Sequence, residues 1–213
     1  MSDTNESRRD FLKGAVVGAG AVATATVAPQ AAAQNAPMKM DHSAGLGAFF
    51  NPEEAATINA FTERLMPGAP GKPGARDAGV LNYIDLALAG AYADMQEFYR
   101  HGLTQLDAYS RKTHNAPFTR LSASQQDEII TALEANKADG FAWPWPREFF
   151  NTLRTHTMEG MFADPVYGGN KDFAGWRLVG FPGAQPQFTP SEMQSKAAYK
   201  GGTIVGLQAT RKS

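Results

Sequence analysis

The residues best placed for chemistry in this sequence are His156 and Glu159. At i and i+3 they share one helical face, where an acid beside an imidazole could move a proton, or the two could ligate a metal. A di-iron bundle needs two Glu-X-X-His pairs and further carboxylates on other helices, and only one pair, reversed, occurs here. A structural ion pair or cap is therefore the favoured reading of His156 and Glu159. Glu159, Asp164 and Asp172 could form a hydrolytic carboxylate pair, yet acids beside glycine turns commonly serve as caps and Asx turns. The Tyr167-Gly168-Gly169-Asn170 loop could gather an anion on its N–H groups. A turn that lays Trp176 on its neighbour accounts for it more simply. His101 and His114 have no acidic cluster around them and read as surface residues. Met38, Met40 and His42 are soft ligands that could hold copper, but without a defined geometry a disordered tail is the simpler reading.

Several chemistries are excluded outright. The chain has no Gly-X-Ser-X-Gly elbow, His-Glu-X-X-His helix or phosphate loop. Gly18-Ala19-Gly20 lacks the strand, third glycine and helix of a dinucleotide fingerprint. None of the 213 residues is cysteine, which removes disulfides, Cys-X-X-Cys-His haem attachment, iron–sulfur ligation and a thiol nucleophile. The net charge is −1 and the bases are scattered rather than striped, which argues against nucleic acid.

The elements that must position these residues follow an N-terminal address. Ser7-Arg8-Arg9-Asp10-Phe11-Leu12-Lys13 precedes a Gly/Ala-rich apolar run over residues 14–28. A twin arginine in this setting marks export through the twin-arginine route, with Arg8, Arg9, Phe11 and Leu12 as the signal residues. Ala31-Ala32-Ala33 offers a cleavage site. An uncleaved anchor is disfavoured because the run is shorter than the ~20 residues that span a bilayer. Residues 1–33 are read as signal peptide and 34–48 as a flexible leader. The 180 residues left of 213 suffice for one domain with a real core.

Asn51-Pro52-Glu53-Glu54 begins the first helix, with Asn51 as cap, Pro52 at the first position and Glu54 closing a capping box. Ile58, Phe61 and Leu65 recur on one face. Beyond a Pro/Gly loop over 67–74, Asp77 is expected to cap a second helix that buries Leu81, Ile84 and Leu88 and closes at Gly90. A third, from Asp94 to about Arg111, buries Met95, Phe98, Gly102, Leu106 and Tyr109. Ser122-Ala123-Ser124-Gln125 is a capping box for a fourth, which buries Ile129, Ile130 and Leu133 and ends at Gly140. Trp143-Pro144-Trp145-Pro146 is excluded from a helix interior, and Pro146 suits the first position of a fifth. Trp143 and Trp145 either fill the core, the favoured reading, or wedge against a partner. The fifth helix carries Phe149, Phe150, Leu153, Met158, Met161 and Phe162 into Asp164-Pro165, where the proline ends it. Tyr167, Phe173, Trp176, Leu178, Val179 and Phe181 then lie between glycine hinges and must pack on the core or on another protein. Thr189-Pro190-Ser191-Glu192 caps a short helix, and residues 201–213 form a mobile or partner-docked tail. With five main helices and no alternating strand runs, the class is mostly α. It is a single helical domain over 49–183 with a Gly/aromatic-rich irregular C-terminal segment and a tail over 184–213.

The run EGMFADPVYGGNKDFAGWRLVGFPGA, which opens at Glu159, resembles the closing block of the gluconate 2-dehydrogenase subunit 3 family. This is the small subunit of membrane-associated, flavin-dependent sugar and polyol dehydrogenases. The resemblance spans about residues 49–183, and upstream it rests on helix order and Leu65-Met66-Pro67. It implies a subunit with no redox centre, catalytic residue or metal of its own, accompanying a large FAD-bearing subunit, often with a cytochrome subunit that carries haem c.

Together with the export signal, the resemblance implies a non-catalytic subunit that binds a flavoprotein dehydrogenase of sugars, sugar acids or polyols. It would aid the folding of that partner and carry it through the twin-arginine translocase to the periplasmic face of the inner membrane. Trp143, Trp145, Tyr167, Asn170, Phe173, Trp176 and Phe181 are the candidate partner-binding residues. The rival expectations are a solitary periplasmic binding or stress protein and a stand-alone metal-dependent enzyme.

Overall fold

A computed structural model describes residues 47–184, 187–197 and 203–207. Arg8, Arg9, Phe11 and Leu12, the cleavage site, and Met38, Met40 and His42 lie outside these residues.

Local capping chemistry starts three of the helices. Asn51 Oδ1 accepts from Glu53 N and Glu54 N, and Glu54 Oε2 accepts from Asn51 N, opening α1 at Pro52–Leu65. Ser122 and Gln125 make the same reciprocal pair before α4 at Ala123–Glu134, as do Thr189 and Glu192 before α7 at Pro190–Gln194. The others are α2 (Val80–Ala89), α3 (Gln96–His114), α5 (Pro146–Phe162) and α6 (Ala174–Val179), joined by short 3-10 turns. Among the described residues there is no strand, only isolated bridges at Ala69–Lys72 and Gly183–Val205. The mostly α expectation holds.

α5 is the axis of the domain and packs against α1, α2, α3, α4 and α6. Its Phe149, Leu153 and Met161 are fully buried with Ile58 and Phe61, Ile84 and Leu88, Tyr99 and Leu106, and Ile129 and Leu133 from the four other long helices. α3 comes closest to α5 at Gly102, where an added Cβ would meet the Phe149 ring at 2.2 Å. α3 therefore needs a glycine there to lie against α5.

One fastening was not foreseen. Asp85 is 1% exposed in the apolar α2, and its carboxylate accepts from four consecutive N–H groups, Gly47, Ala48, Phe49 and Phe50, at 2.8–3.0 Å. A carboxylate tolerates burial only when so satisfied. It ties the segment before α1 to the middle of α2.

Four local expectations are corrected. Asp77 does not cap α2: its Oδ2 accepts from Gly74 N, and the helix starts at Val80 after Gly79 turns left-handed at φ +70. α4 ends at Glu134 rather than Gly140, because Asn136 takes φ +57 and an asparagine accepts that conformation readily. His114 is largely buried, with its side chain 13% exposed and Nε2 3.4 Å from Glu128 Oε2, whereas His101 is a surface residue. Trp143 and Trp145 are 49% and 60% exposed rather than core. At the bend over Trp143 and Pro144 it is the two prolines, Pro144 and Pro146, that are buried, and both indoles are left on the outside.

Candidate functional site

α5 runs out at Phe162 and leaves its last carbonyls without partners inside the helix. The chain beyond it supplies them. Asn170 N donates to Gly160 O at 2.7 Å, Asn170 Nδ2 to Ala163 O at 2.9 Å, and Trp176 Nε1 to Phe162 O at 2.6 Å. Asn170 Oδ1 accepts in turn from Gly175 N at 2.9 Å. Asn170 is wholly buried at φ +45, and Asp172 and Phe173 follow it in the left-handed region. Glycine is required at 175, where a Cβ would lie 1.9 Å from Met161 O. Trp176 is 6% exposed. Its ring stacks on Phe173 at 5.3 Å and meets the edge of Phe181 at 4.9 Å.

This clamp explains the closing block as internal architecture. The N–H groups of Gly168, Asn170 and Lys171 donate to Pro165 O, Gly160 O and Ala78 O, so the loop spends on its own chain the donors an anion would need. The turn that lays Trp176 on its neighbour is the reading the geometry supports. Asp164 behaves as the expected Asx turn, accepting from Val166 N at 3.0 Å, and its second oxygen accepts from Leu207 N at 2.7 Å.

One turn back along α5, His156 and Glu159 enter a buried polar cluster. Tyr99 on α3 is fully buried, with its hydroxyl 2.6 Å from His156 Nδ1. Glu159 Oε2 accepts from Tyr83 OH at 2.9 Å and from Tyr92 OH at 3.2 Å. The His156 ring lies nearly parallel to both Tyr92 and Tyr99, with centroids 4.7 and 5.8 Å away. Burial pushes the Tyr99 phenol well up, reinforced by the Glu159 charge. Burial also raises Tyr83, helped by its bond to Glu159. Burial lowers the His156 imidazole, opposed by Glu159. A protonated phenol thus faces a neutral ring, so Tyr99 donates and Nδ1 accepts. The expected ion pair or cap between His156 and Glu159 does not form: each member instead bonds to tyrosines outside α5.

Sequence reasoning missed Tyr83, Tyr92, Tyr99 and Asp85. Asp85 carried a readable signal, a lone acid on the buried stripe of an apolar helix. The tyrosines carried none, because their partners lie 57 to 76 residues away.

The remaining candidates lie on the surface: Trp143, Trp145, Tyr167 and Phe181 are 44–60% exposed, and Phe173 is half-buried. Trp143 is held firmly although exposed. Gln105 donates through Nε2 to Trp143 O at 2.7 Å and accepts from Ala142 N, while the indole meets Phe98 and His101 edge-on at 6.0 and 5.5 Å. Trp145 overlooks an open groove lined by Asn136, Arg147, Glu148, Asn151 and Thr152. Among the described residues no three His, Asp or Glu side chains gather where they could hold a metal, and no helix is long and apolar enough to cross a membrane.

No curated protein and no solved structure matches the chain significantly. Residues 52–183, from the first residue of α1 to just past the clamp, match gluconate 2-dehydrogenase subunit 3. The chain is mostly helical and belongs to the gluconate 2-dehydrogenase subunit 3 family, a family of accessory subunits of dehydrogenase complexes.

Proposed function

We propose that this chain is the non-catalytic small subunit of a periplasmic, FAD-dependent dehydrogenase acting on a sugar, sugar acid or polyol. It binds the flavin-bearing large subunit, aids its folding and carries it through the twin-arginine translocase. A cytochrome subunit with haem c completes the electron path and holds the complex at the membrane. The observation that carries this reading is the family match across α1 to α6, residues 52–183. The Arg8-Arg9 signal ahead of that domain supports the export role. The buried polar groups of the domain support an accessory role, since His156, Glu159 and Asn170 are committed to bonds within the chain.

The partner contacts it through the exposed pair Trp143 and Trp145, of which Trp143 is held in place, with Tyr167 and Phe181 as further surface contacts. Tryptophan is enriched at interface hot spots, where a pre-ordered ring loses little freedom on docking.

Gentle affinity purification of the mature protein from its native envelope tests the assembly. A co-eluting chain with flavin absorption is expected, and a colourless single chain would overturn the reading. For export, replacing Arg8 and Arg9 together with lysine is expected to leave dehydrogenase activity in the cytoplasm. Unchanged periplasmic activity in that double variant would refute the carrier role.

A further inference from the structure

Beyond any role in assembly, we propose that Tyr99 and His156 form a proton-coupled redox pair, a site inside this subunit where a single oxidising equivalent is held. The geometry is specific. The Tyr99 hydroxyl lies 2.6 Å from His156 Nδ1, with the tyrosine wholly buried. Removing an electron from a phenol makes its proton strongly acidic, and a base already hydrogen-bonded can take that proton without any rearrangement. Here Tyr99–OH gives one electron to a one-electron oxidant, of the ferryl-haem or oxidising-radical class, and its proton crosses to Nδ1. The products are a neutral tyrosyl radical, an imidazolium and the reduced oxidant. An electron from a small reductant and return of the same proton restore the pair.

The surroundings accommodate that product state. The imidazolium would lie parallel to the Tyr92 ring at 4.7 Å, a cation over an aromatic face. Glu159, one turn further along α5, would face it as counter-charge while still held by the Tyr83 and Tyr92 hydroxyls. The neutral starting state is equally provided for, because burial keeps the phenol protonated and the ring uncharged.

A route to the surface is present. Tyr99 meets Phe98 edge-on at 6.2 Å, and Phe98 meets the half-exposed Trp143 at 6.0 Å. Trp143, itself oxidisable, therefore stands one ring away from Tyr99.

The test is flash oxidation of the full mature protein with photogenerated ruthenium(III) tris-bipyridine, read by electron paramagnetic resonance. A neutral tyrosyl signal is expected that is lost in Tyr99→Phe and retained in Tyr167→Phe. In His156→Gln the radical should form more slowly and at a rate that depends on the concentration of buffer base. An undiminished signal in folded Tyr99→Phe would overturn the proposal and mark the oxidation as a surface event. Should Tyr99→Phe not fold, wild-type protein with isotopically labelled histidine decides the matter. A hyperfine coupling from the radical to a histidine nitrogen supports the pair, and a radical without it refutes the pair.

Discussion

At the scale of single residues, Asn170 shows how one side chain can be irreplaceable without touching a substrate. Its amide donates to Ala163 O and accepts from Gly175 N, and its backbone stands at φ +45. Asn170→Ala would orphan a part-buried carbonyl and a buried N–H and place alanine in the left-handed region, so a loss of about 3 kcal/mol is expected in urea denaturation. His156 makes a prediction of a different kind. Its pKa in the fold is lowered by burial, so between the folded value and the unfolded value of about 6.5 the unfolded chain binds more protons. Stability contributed by neutral His156 is therefore present above about pH 6.5, declines as pH falls from there towards the folded pKa, and is flat below it. The groups facing His156 are Tyr92, Tyr99 and Glu159, with Tyr83 behind Glu159. Thermal midpoints measured from neutral to acid pH should fall more steeply in wild type than in His156→Gln, and parallel curves would show that this ring does not titrate against the fold.

At the scale of elements, α5 dominates, and its C-terminal clamp is where backbone meets backbone. Gly175→Ala would drive a methyl to within 1.9 Å of Met161 O, and neither backbone can yield without opening the clamp, so a cost of about 4 kcal/mol is expected. Ser122→Ala removes only one cap from α4 and should cost about 1 kcal/mol. Calorimetry of the two variants ranks them, and equal losses would mean the clamp is looser than drawn. The contrast also marks what could be read in advance. Caps at Asn51, Ser122 and Thr189 were legible because each is settled within four residues. Asp77 misled because two local uses of one carboxylate competed, and the turn N–H of Gly74 took it. The aromatic closing block was legible as a unit, but the partners of Asn170 and Trp176 were not, since they are orphan carbonyls that exist only once α5 ends where it does. The three tyrosine partners of His156 and Glu159 depend on long-range packing, which no local periodicity encodes.

At the scale of the whole molecule, the question is which aromatics belong to the fold and which to the complex. Trp176 sits on the core side of that division: it is 6% exposed and its indole N–H holds Phe162 O at 2.6 Å. Trp176→Ala should therefore lower the stability of the isolated subunit by about 3–5 kcal/mol, as truncation of a buried tryptophan does. Trp143 and Trp145 are the exposed pair proposed to meet the partner. Their rings stand in solvent while Gln105 and the buried Pro144 and Pro146 hold the turn beneath them. A turn fixed by its backbone but faced with exposed indoles gains little for the monomer, since surface substitutions away from special features shift stability by about 0.5 kcal/mol or less. Docking would recover that area, and a hot-spot tryptophan is worth about 2 kcal/mol or more when truncated. The double variant Trp143→Ala with Trp145→Ala should accordingly melt within a few degrees of wild type yet lose co-purification of the flavin-bearing chain. Trp176→Ala should melt early and lose the partner only in proportion to its unfolded fraction. If the double variant retains the flavoprotein in full while folding normally, the interface lies elsewhere, and the α6 end, with Leu178, Val179 and Phe181 exposed, becomes the surface to truncate next.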